Sequence, residues 1–499
     1  MSVRLAAVAV VTIALLAART GVAAPRKSAR PPADPTEAAP DDEAATKSSA
    51  PSTQPADAEP LPRAPAPPAP PPADAKPPIG FSDNAVYIRT PGDEVVVFPS
   101  ARLQVDAAFF PRQYPKSGAY LRRARVGLRG WLGREFYFDV SADFAPPPGD
   151  ALANPDAFAA SVLPATDNYV AFAPAGDRFI VQAGQFNAPF TLENRTSDAY
   201  TDFIERSLAV RALGVPRNKE IGVMVHGLLG DVFYYSAGAF NGEGPEFRNA
   251  DNQPDAIGRV VVTPLGGRNS AFRRLAIGGS GWYGRHQLGP LFPAQATPGG
   301  VRFLVPRWVT GQATPRTLEM REHGMIMAAA GEISLPLGTR FGMRAEGVWK
   351  RQELTEADVA TPMIPISDTQ LDGLAGYGEL WLWVHGNERL LPAPGLELPL
   401  RADRVGGAPK LVDGVMLAVR GEFLKEDLTS DVPTLGNPTR ATTRVVSGTV
   451  GVNYWRGALV RVSVNYILNN WSGTSETAKT LKAQGAFEHE LMLRFAMSL

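Results

Sequence analysis

Residues 459–468 read LVRVSVNYIL, and this stretch is the clearest example of a pattern that runs through most of the chain. An apolar side chain stands at every even-numbered position, while Arg461, Ser463 and Asn465 stand between them. A period of two is that of a β-strand, whose successive side chains point to opposite faces of a sheet. The stretch therefore predicts a strand with one apolar face and one polar face.

The same alternation continues to the last residue, and it predicts sixteen strands. Each is roughly 10–14 residues long, whereas strands of soluble proteins are usually about 5–6. An even number of strands places both chain ends on the same side of the sheet. The long connections then lie on the opposite side, with one exception at about 386–410. The strands are expected near 100–110, 119–132, 135–145, 166–174, 178–187, 220–229, 232–241, 255–264, 273–286, 323–336, 340–352, 371–385, 411–425, 442–455, 458–469 and 486–499.

Alternation alone fits two folds, because a soluble sandwich buries its apolar face whereas a membrane barrel turns that face to lipid. After Phe81 no segment approaches the roughly 20 apolar residues that a membrane-spanning helix needs. Strand length, alternating short and long connections, and a chain that ends within a strand favour a closed barrel. Aromatic residues near strand ends favour it more weakly, as interface girdles. We therefore predict an all-β fold, a sixteen-stranded antiparallel transmembrane β-barrel, with a soluble periplasmic β protein as the alternative.

Composition excludes several classes of function. The 499 residues include no cysteine, which excludes a disulfide scaffold, a thiolate zinc site and a cysteine nucleophile. Fifty basic residues balance fifty acidic ones, whereas a nucleic-acid binder carries a basic excess, so we expect no nucleic-acid partner. The five histidines are far apart, and phosphate-loop, HExxH and GxSxG motifs are missing. The sequence predicts no enzyme, no metal site and no cofactor.

Three zones divide the chain. Residues 1–24 have the layout of a secretory signal peptide: Arg4, an uncharged apolar run and a small-residue cleavage site. Residues 25–80 hold proline-rich and alanine-rich sequence without aromatic residues, which predicts a disordered linker or, as the less favoured reading, a tether to a periplasmic partner. Residues 81–499 then form the barrel domain.

Five sets of motifs follow one another from about residue 95 to the end: YLRRARVGL (120–128) with ADFA (142–145), GQFNAPFTLE (184–193) with FIERS (203–207), FNGEG (240–244), GYGELW (376–381) and GVNYW (451–455). Together and in this order they resemble one known family, the phosphate-selective porins O and P of Gram-negative outer membranes. The resemblance implies a trimeric sixteen-stranded channel that prefers anions such as phosphate, with a third loop, here about Pro189–Lys219, folded into the lumen. The chain departs from the family in ending in Leu499 instead of an aromatic residue, and in its linker.

The second strand carries the first candidate anion-binding residues. Alternation puts Arg123, Arg125 and Arg129 on the polar face, which lines the lumen if the apolar face meets lipid. A connection of about three residues to the next strand would place Arg125 opposite Asp143, and Arg129 opposite Asp139, where the charges neutralise one another. We favour this paired arrangement over a free anion track.

The third loop carries the other candidates: Arg206, Arg211, Arg217 and Lys219, a basic run without an acidic residue. Such clustering predicts positive potential at a constriction. Equally, the loop is expected to hold a helix around residues 198–213 whose charges dock on the wall. The sequence leaves these two interpretations open.

The function predicted from these features is an outer-membrane porin for passive diffusion of small anions, with phosphate as a candidate solute. The alternative is a non-conducting structural barrel tethered through the proline-rich segment. The expected partners are outer-membrane lipids, small anions and, by the family resemblance, two further copies in a homotrimer. The linker is expected in the periplasm.

Overall fold

The computed structural model describes residues 78–82, 85–111, 117–145, 165–246, 252–286, 289–291, 295–304, 307–309, 315–358, 361–387, 394–400, 412–430 and 440–499. The predicted signal peptide, and the linker up to residue 77, lie outside the described residues. The first strand begins at Ile79, just inside the segment predicted as linker.

Within the described residues the strands follow one another with few helices. Two short α-helices, α1 (Leu208–Leu213) and α2 (Glu476–Ala483), and two 3₁₀ turns, Gly176–Arg178 and Pro216–Asn218, lie in connections. The strands are β1 (Ile79–Ser82), β2 (Ala85–Arg89), β3 (Val95–Phe109), β4 (Gly118–Leu132), β5 (Phe136–Asp143), β6 (Ala165–Phe172), β7 (Ile180–Asn187), β8 (Lys219–Leu229), β9 (Phe233–Phe240), β10 (Asp255–Val262), β11 (Ala276–His286), β12 (Gly289–Leu291), β13 (Gln295–Ala296), β14 (Arg302–Leu304), β15 (Arg307–Val309), β16 (Pro315–Met320), β17 (Gly324–Leu337), β18 (Phe341–Asp358), β19 (Thr361–His385), β20 (Asp413–Ser430), β21 (Arg440–Arg456), β22 (Val460–Gly473) and β23 (Glu488–Ser498).

Sixteen of these strands, β3–β11 and β17–β23, form a closed antiparallel barrel, which confirms the predicted fold. Strand β11 pairs with β17, and the last strand pairs with the first barrel strand, for example at Arg494 and Asp106. Closure leaves the barrel without unpaired edges, as a sheet surrounded by lipid requires. The hairpin β1–β2 pairs with the start of β3, on the part of that strand that β23 does not reach.

The apolar faces of the strands point outward. In β22, Val462 and Tyr466 expose 42% and 43% of their surface, while Arg461, Ser463 and Asn465 expose 2% or less. A soluble barrel would reverse this arrangement, because water favours an exposed polar face and a buried apolar one. The inverted pattern is that of a wall surrounded by lipid. Among the described residues, no helix is long and apolar enough to cross a membrane.

The interior of the barrel is filled by side chains and by inserted segments of the chain. A large apolar cluster includes Phe190, Leu208 and Leu213 of the segment 188–218, packed on inward residues such as Trp282 and Val348. Many tryptophans and tyrosines also face this interior, so the expectation of interface girdles is wrong for most of them. Those buried are Trp131, Tyr137, Tyr234, Trp282, Trp381, Trp383 and Trp455, whereas Tyr283, Trp349, Tyr454 and Tyr466 are exposed.

The outward face predicts how the barrel responds to a charge placed in its wall. Val450, in the middle of β21, is 55% exposed. Val450→Arg should destabilise the barrel in phospholipid vesicles by about 2–4 kcal/mol, because a guanidinium at the bilayer midplane is poorly solvated. Reversible unfolding in vesicles measures the difference, with Val450→Ile as the control. A loss of about 0.5 kcal/mol or less, as expected at a water-exposed site, would contradict a lipid-facing wall.

Candidate functional site

The segment 188–218, which connects β7 and β8, runs through the barrel interior. Its backbone N–H groups bond to inward side chains of distant strands: Leu192 to Glu346 (2.6 Å), Ile204 to Asn465 (2.7 Å) and Leu208 to Glu422 (2.7 Å). Buried backbone groups need such partners when no regular ladder supplies them. The polar faces of β18, β20 and β22 therefore determine the path of the loop.

A short helix forms within this loop. The Ser207 side chain accepts from the Val210 N–H and caps α1, whose apolar residues are buried. The helix covers Leu208–Leu213 only, so the predicted helix around 198–213 is present in its last third. The rest of the loop is irregular, because its backbone bonds go to wall side chains instead.

Asp198 of the loop is surrounded by three arginines of the barrel wall, which we call the Asp198 triad. Arg102 of β3 bonds to one carboxylate oxygen. Arg123 Nε and Arg125 Nη1 of β4 lie 2.6 Å and 3.0 Å from the other. Charge-assisted contacts of this kind are among the strongest in proteins.

Glu205 is surrounded in the same way by a second set, the Glu205 triad. Its carboxylate lies 2.7 Å from Arg122 of β4, 2.9 Å from Arg494 of β23 and 3.1 Å from Arg211 of the loop itself. The two loop carboxylates thus hold the loop against the wall formed by β3, β4 and β23.

The arginines keep both loop carboxylates ionised. Burial alone would raise the pKa of Asp198, but Arg102 and the other arginines around it hold that pKa well below its usual value. Burial likewise opposes ionisation of Glu205, and Arg122 and Arg494 again bring its pKa well below the ordinary range.

Positive charge is in excess on this side of the loop, which we call the basic flank and define as the six arginines of the two triads. Two further carboxylates contact them: Asp143 lies 2.8 Å from Arg125, and Asp106 lies 2.7 Å from Arg494. Six guanidinium groups therefore face four carboxylates, a local excess of two positive charges.

The opposite side of the loop is acidic, and we call it the acidic flank. Arg344 contacts Asp202 and Glu379, and Arg420 contacts Glu193, Glu379 and Glu422. Arg259 pairs with Glu332 at 2.6 Å, and Glu346 accepts from the loop backbone. Three guanidinium groups thus face six carboxyl groups, so acidic side chains outnumber basic ones on this flank.

The predicted residues of β4 divide into paired and unpaired ones. The expected register is confirmed, with Arg125 opposite Asp143 and Arg129 opposite Asp139. Arg123 and Arg125 belong to the Asp198 triad. Arg129 faces Asp139 across the two strands as predicted, but it forms no ion pair within 4.0 Å among the described residues.

The predicted basic residues of the loop do not gather at one point. Arg206 donates to the backbone carbonyls of Glu193 and Thr196, and Arg211 belongs to the Glu205 triad. The other two lie at its end. Arg217 is exposed, 3.8 Å from Glu246, and Lys219 contacts Asp167 at 2.6 Å. Whether any of these residues contacts an anion stays a prediction.

Three members of the basic flank were not predicted: Arg102, Arg122 and Arg494. Arg122 was missed because of a β-bulge, where Gln104 pairs with Arg123 and Val105 with Leu121, leaving Arg122 as the extra residue. A bulge interrupts the period of two, so adjacent Arg122 and Arg123 both reach the interior. The sequence did carry one sign of the bulge, because Arg122 is an arginine at a position that strict alternation assigns to the lipid-facing side.

Comparisons with known proteins agree with this geometry. A family model described as phosphate-selective porin O and P matches residues 100–281, a little over a third of the chain, from within β3 to within β11 and including the loop. A search of curated proteins finds no match.

Solved structures of outer-membrane proteins are also similar. OmpT of Vibrio cholerae with loop L8 deleted has a TM-score of 0.49 at 12% identity, over 82% of this chain and 100% of that one. The channel DcaP of Acinetobacter baumannii has 0.44 at 11%, over 83% and 99%. The anion-selective porin from Comamonas acidovorans has 0.43 at 10%, over 81% and 100%.

The closed barrel and its apolar outer wall define the class of fold: a sixteen-stranded transmembrane β-barrel. Over residues 100–281 the resemblance to phosphate-selective porins O and P is confirmed.

The Asp198 triad predicts a large effect of removing one carboxylate. Asp198→Asn should lower the free energy of unfolding by about 3–5 kcal/mol, because three largely buried guanidinium groups lose their counter-charge. Glu476→Gln is the control, since its pair with Lys479 is exposed and worth about 1 kcal/mol or less. Denaturant unfolding in detergent measures both. Equal effects of the two substitutions would contradict a structural role for the triad.

The same carboxylate predicts a pH dependence. The folded pKa of Asp198 is lowered, so its stabilising contribution is present above the unfolded pKa of about 3.9 and is lost as the pH falls towards the folded pKa. The stability difference between wild type and Asp198→Asn should be constant from pH 7 to about pH 5 and shrink below about pH 4. Unfolding curves at several pH values test this, and a difference that shrinks between pH 7 and 6 would contradict it.

Proposed function

We propose that this protein is an outer-membrane porin through which small anions diffuse, with phosphate as the candidate solute and residues 188–218 narrowing the passage. The observation that supports the proposal is the basic flank, with six guanidinium groups against four carboxylates. Fixed positive charge in a narrow, partly desolvated passage favours anions over cations. Sixteen strands also enclose enough space for an aqueous lumen.

In this mechanism the anion passes along the basic flank, where the side chains of Arg102, Arg122, Arg125 and Arg211 keep 18–24% of their surface exposed. Guanidinium groups donate to its oxygens by charge-assisted hydrogen bonds, which replace part of its hydration. The existing contacts with Asp198 and Glu205 keep each arginine only partly available, so binding stays weak enough for the anion to leave. Cations are attracted to the acidic flank instead, where carboxylates outnumber arginines.

A second candidate is a barrel that conducts poorly because further segments enter its interior. Gly299 N–H donates to Glu490 of β23 (2.7 Å), so the segment 295–304 reaches the interior from one side. From the other side, the segment 394–400 reaches the interior. There Glu397 lies 2.9 Å from Arg195, and Gly395 N–H donates to Thr196. Both inserted segments contact or face the central loop, which favours a plugged, structural barrel.

We further propose that the short turns face the periplasm, as in bacterial outer-membrane barrels, and that the linker lies there too. The support is that β1, the first described element, lies on the side of the short turns.

We propose a homotrimer from the family resemblance. Light scattering of the purified barrel in detergent measures its oligomeric state.

Planar-bilayer recording tests the proposed function. Purified protein should give stepwise current increases, and a salt gradient should give a reversal potential of the sign expected for anions. Absence of steps would support the plugged barrel instead. A reversal potential of the opposite sign would keep the channel and exclude anion preference.

Charge removal on the basic flank gives a sharper test. The double variant Arg122→Gln, Arg123→Gln leaves two arginines on each loop carboxylate, so the loop keeps its anchors. The anion-to-cation permeability ratio should fall by a factor of roughly 2–10, as expected for a local potential lowered by about half to one kT, because the ratio varies with twice the potential. Arg440→Gln, at an exposed pair with Asp427, is the control. An unchanged ratio in the double variant would exclude the basic flank as the selectivity element.

A further inference from the structure

A buried arginine on β22 lies apart from the two triads. Arg461 is 2% exposed, and its guanidinium carbon lies 4.8 Å from the centre of the Trp455 ring on β21. The two residues are direct cross-strand partners, next to the turn 457–459. This position is on the side of the barrel where the short turns lie.

Arg461 is held by a neutral acceptor. Its Nε and Nη2 atoms both donate to Asn453 Oδ1, at 3.1 Å and 2.7 Å, and Ser463 Oγ bonds to the same oxygen at 2.7 Å. No carboxylate lies within 4.0 Å of this guanidinium in the described part of the chain. One amide oxygen therefore serves three donors and leaves the positive charge without a counter-charge.

A second donor close by lacks an acceptor. Trp455 is 1% exposed, and its indole N–H finds no hydrogen-bond acceptor among the residues that the structure describes. Buried polar groups are nearly always hydrogen-bonded, and a buried charge is nearly always paired. A buried arginine, an indole N–H and a hydroxyl make a set dominated by donors, which suits a ligand that only accepts and carries negative charge.

The nearest carboxylates, Asp202 and Asp106, are in contact with other arginines. Arg494, whose neighbour on β22 is Ser463, adds a like charge and is itself paired with Asp106 and Glu205. Asp202 of the loop is engaged with Arg344. The loop nevertheless touches this place, since Asn453 donates to the Asp202 carbonyl (2.8 Å) and Tyr200 stacks on Trp455.

We propose that Arg461, Trp455 and Ser463 form an anion-binding subsite directly on the turn side of the loop, for a small oxyanion such as inorganic phosphate. The inference rests on the proposed function and extends it, because it places a second anion position on the turn side of the basic flank. Arg461 supplies the charge and a planar set of donors, Trp455 supplies its unpaired indole N–H, and Ser463 would turn its hydroxyl from Asn453 to the anion. An anion leaving the basic flank would bind there before release at the turn side.

Phosphate block of the chloride current tests the subsite. The full-length protein is recorded in a planar bilayer with chloride as the carrier, and inorganic phosphate is added on the turn side. Arg461→Gln should raise the half-blocking phosphate concentration about tenfold, and Trp455→Phe, which removes the indole N–H but keeps an aromatic ring, a few-fold. Arg456→Gln is the matched control, since this arginine lies at the same turn but is exposed and paired with Asp413. Unchanged block in both Arg461→Gln and Trp455→Phe would overturn the proposal.

A structural measurement separates the subsite from the channel function. Crystals of the wild-type protein soaked in arsenate, a phosphate analogue with anomalous scattering, should show a peak within hydrogen-bond distance of the Arg461 guanidinium. Arg461→Gln crystals should lose that peak, while Arg456→Gln crystals keep it. A peak in a protein without conductance would support the subsite and reject the porin. Normal conductance with no peak at Arg461 would reject the subsite and leave the porin intact.

Discussion

The contacts between wall arginines and the carboxylates of Asp198 and Glu205 are the interaction on which the interior depends. Without the loop, five arginines of β3, β4 and β23 would face one another in a partly desolvated space, with Asp106 and Asp143 as their counter-charges among the described residues. Such an arrangement is costly, because buried charges need partners. The loop supplies those partners, and wall carboxylates and amides in turn bind its backbone. Barrel and loop therefore stabilise each other, and neither is expected to keep its geometry alone.

Charge separation across the loop follows from this arrangement. The whole chain is neutral, with fifty basic and fifty acidic residues, so selectivity has to arise from local placement. One flank holds an excess of guanidinium groups and the other an excess of carboxylates, and the loop lies between them. In the proposed porin, a solute at this level would experience a transverse field, which is stronger in a narrow, low-dielectric passage than in water. Anions and cations are therefore drawn to different walls.

Much of the wall could be read from the sequence, because strands impose a strict period of two. That period predicted the sixteen strands, and a three-residue turn predicted the pairing of Arg125 with Asp143. It failed where the period breaks: the bulge at Arg122 brings two adjacent arginines inside. It also failed for the buried aromatic residues, because a tryptophan such as Trp455 fits an interior position as well as an interface. The loop helix is shorter than predicted, since wall side chains compete for its backbone bonds.

By itself, the sequence determined that the chain forms long two-faced strands and that arginines and acids share the polar face, because alternation is a local property of the backbone. The tertiary structure alone decided which face meets the exterior, since that depends on closure of the whole sheet. It also decided which charges meet. Asp198 and Glu205 lie close together in the sequence, but their arginines come from β3, β4, β23 and the loop itself. Such partners depend on the path of an irregular loop, which no periodicity encodes.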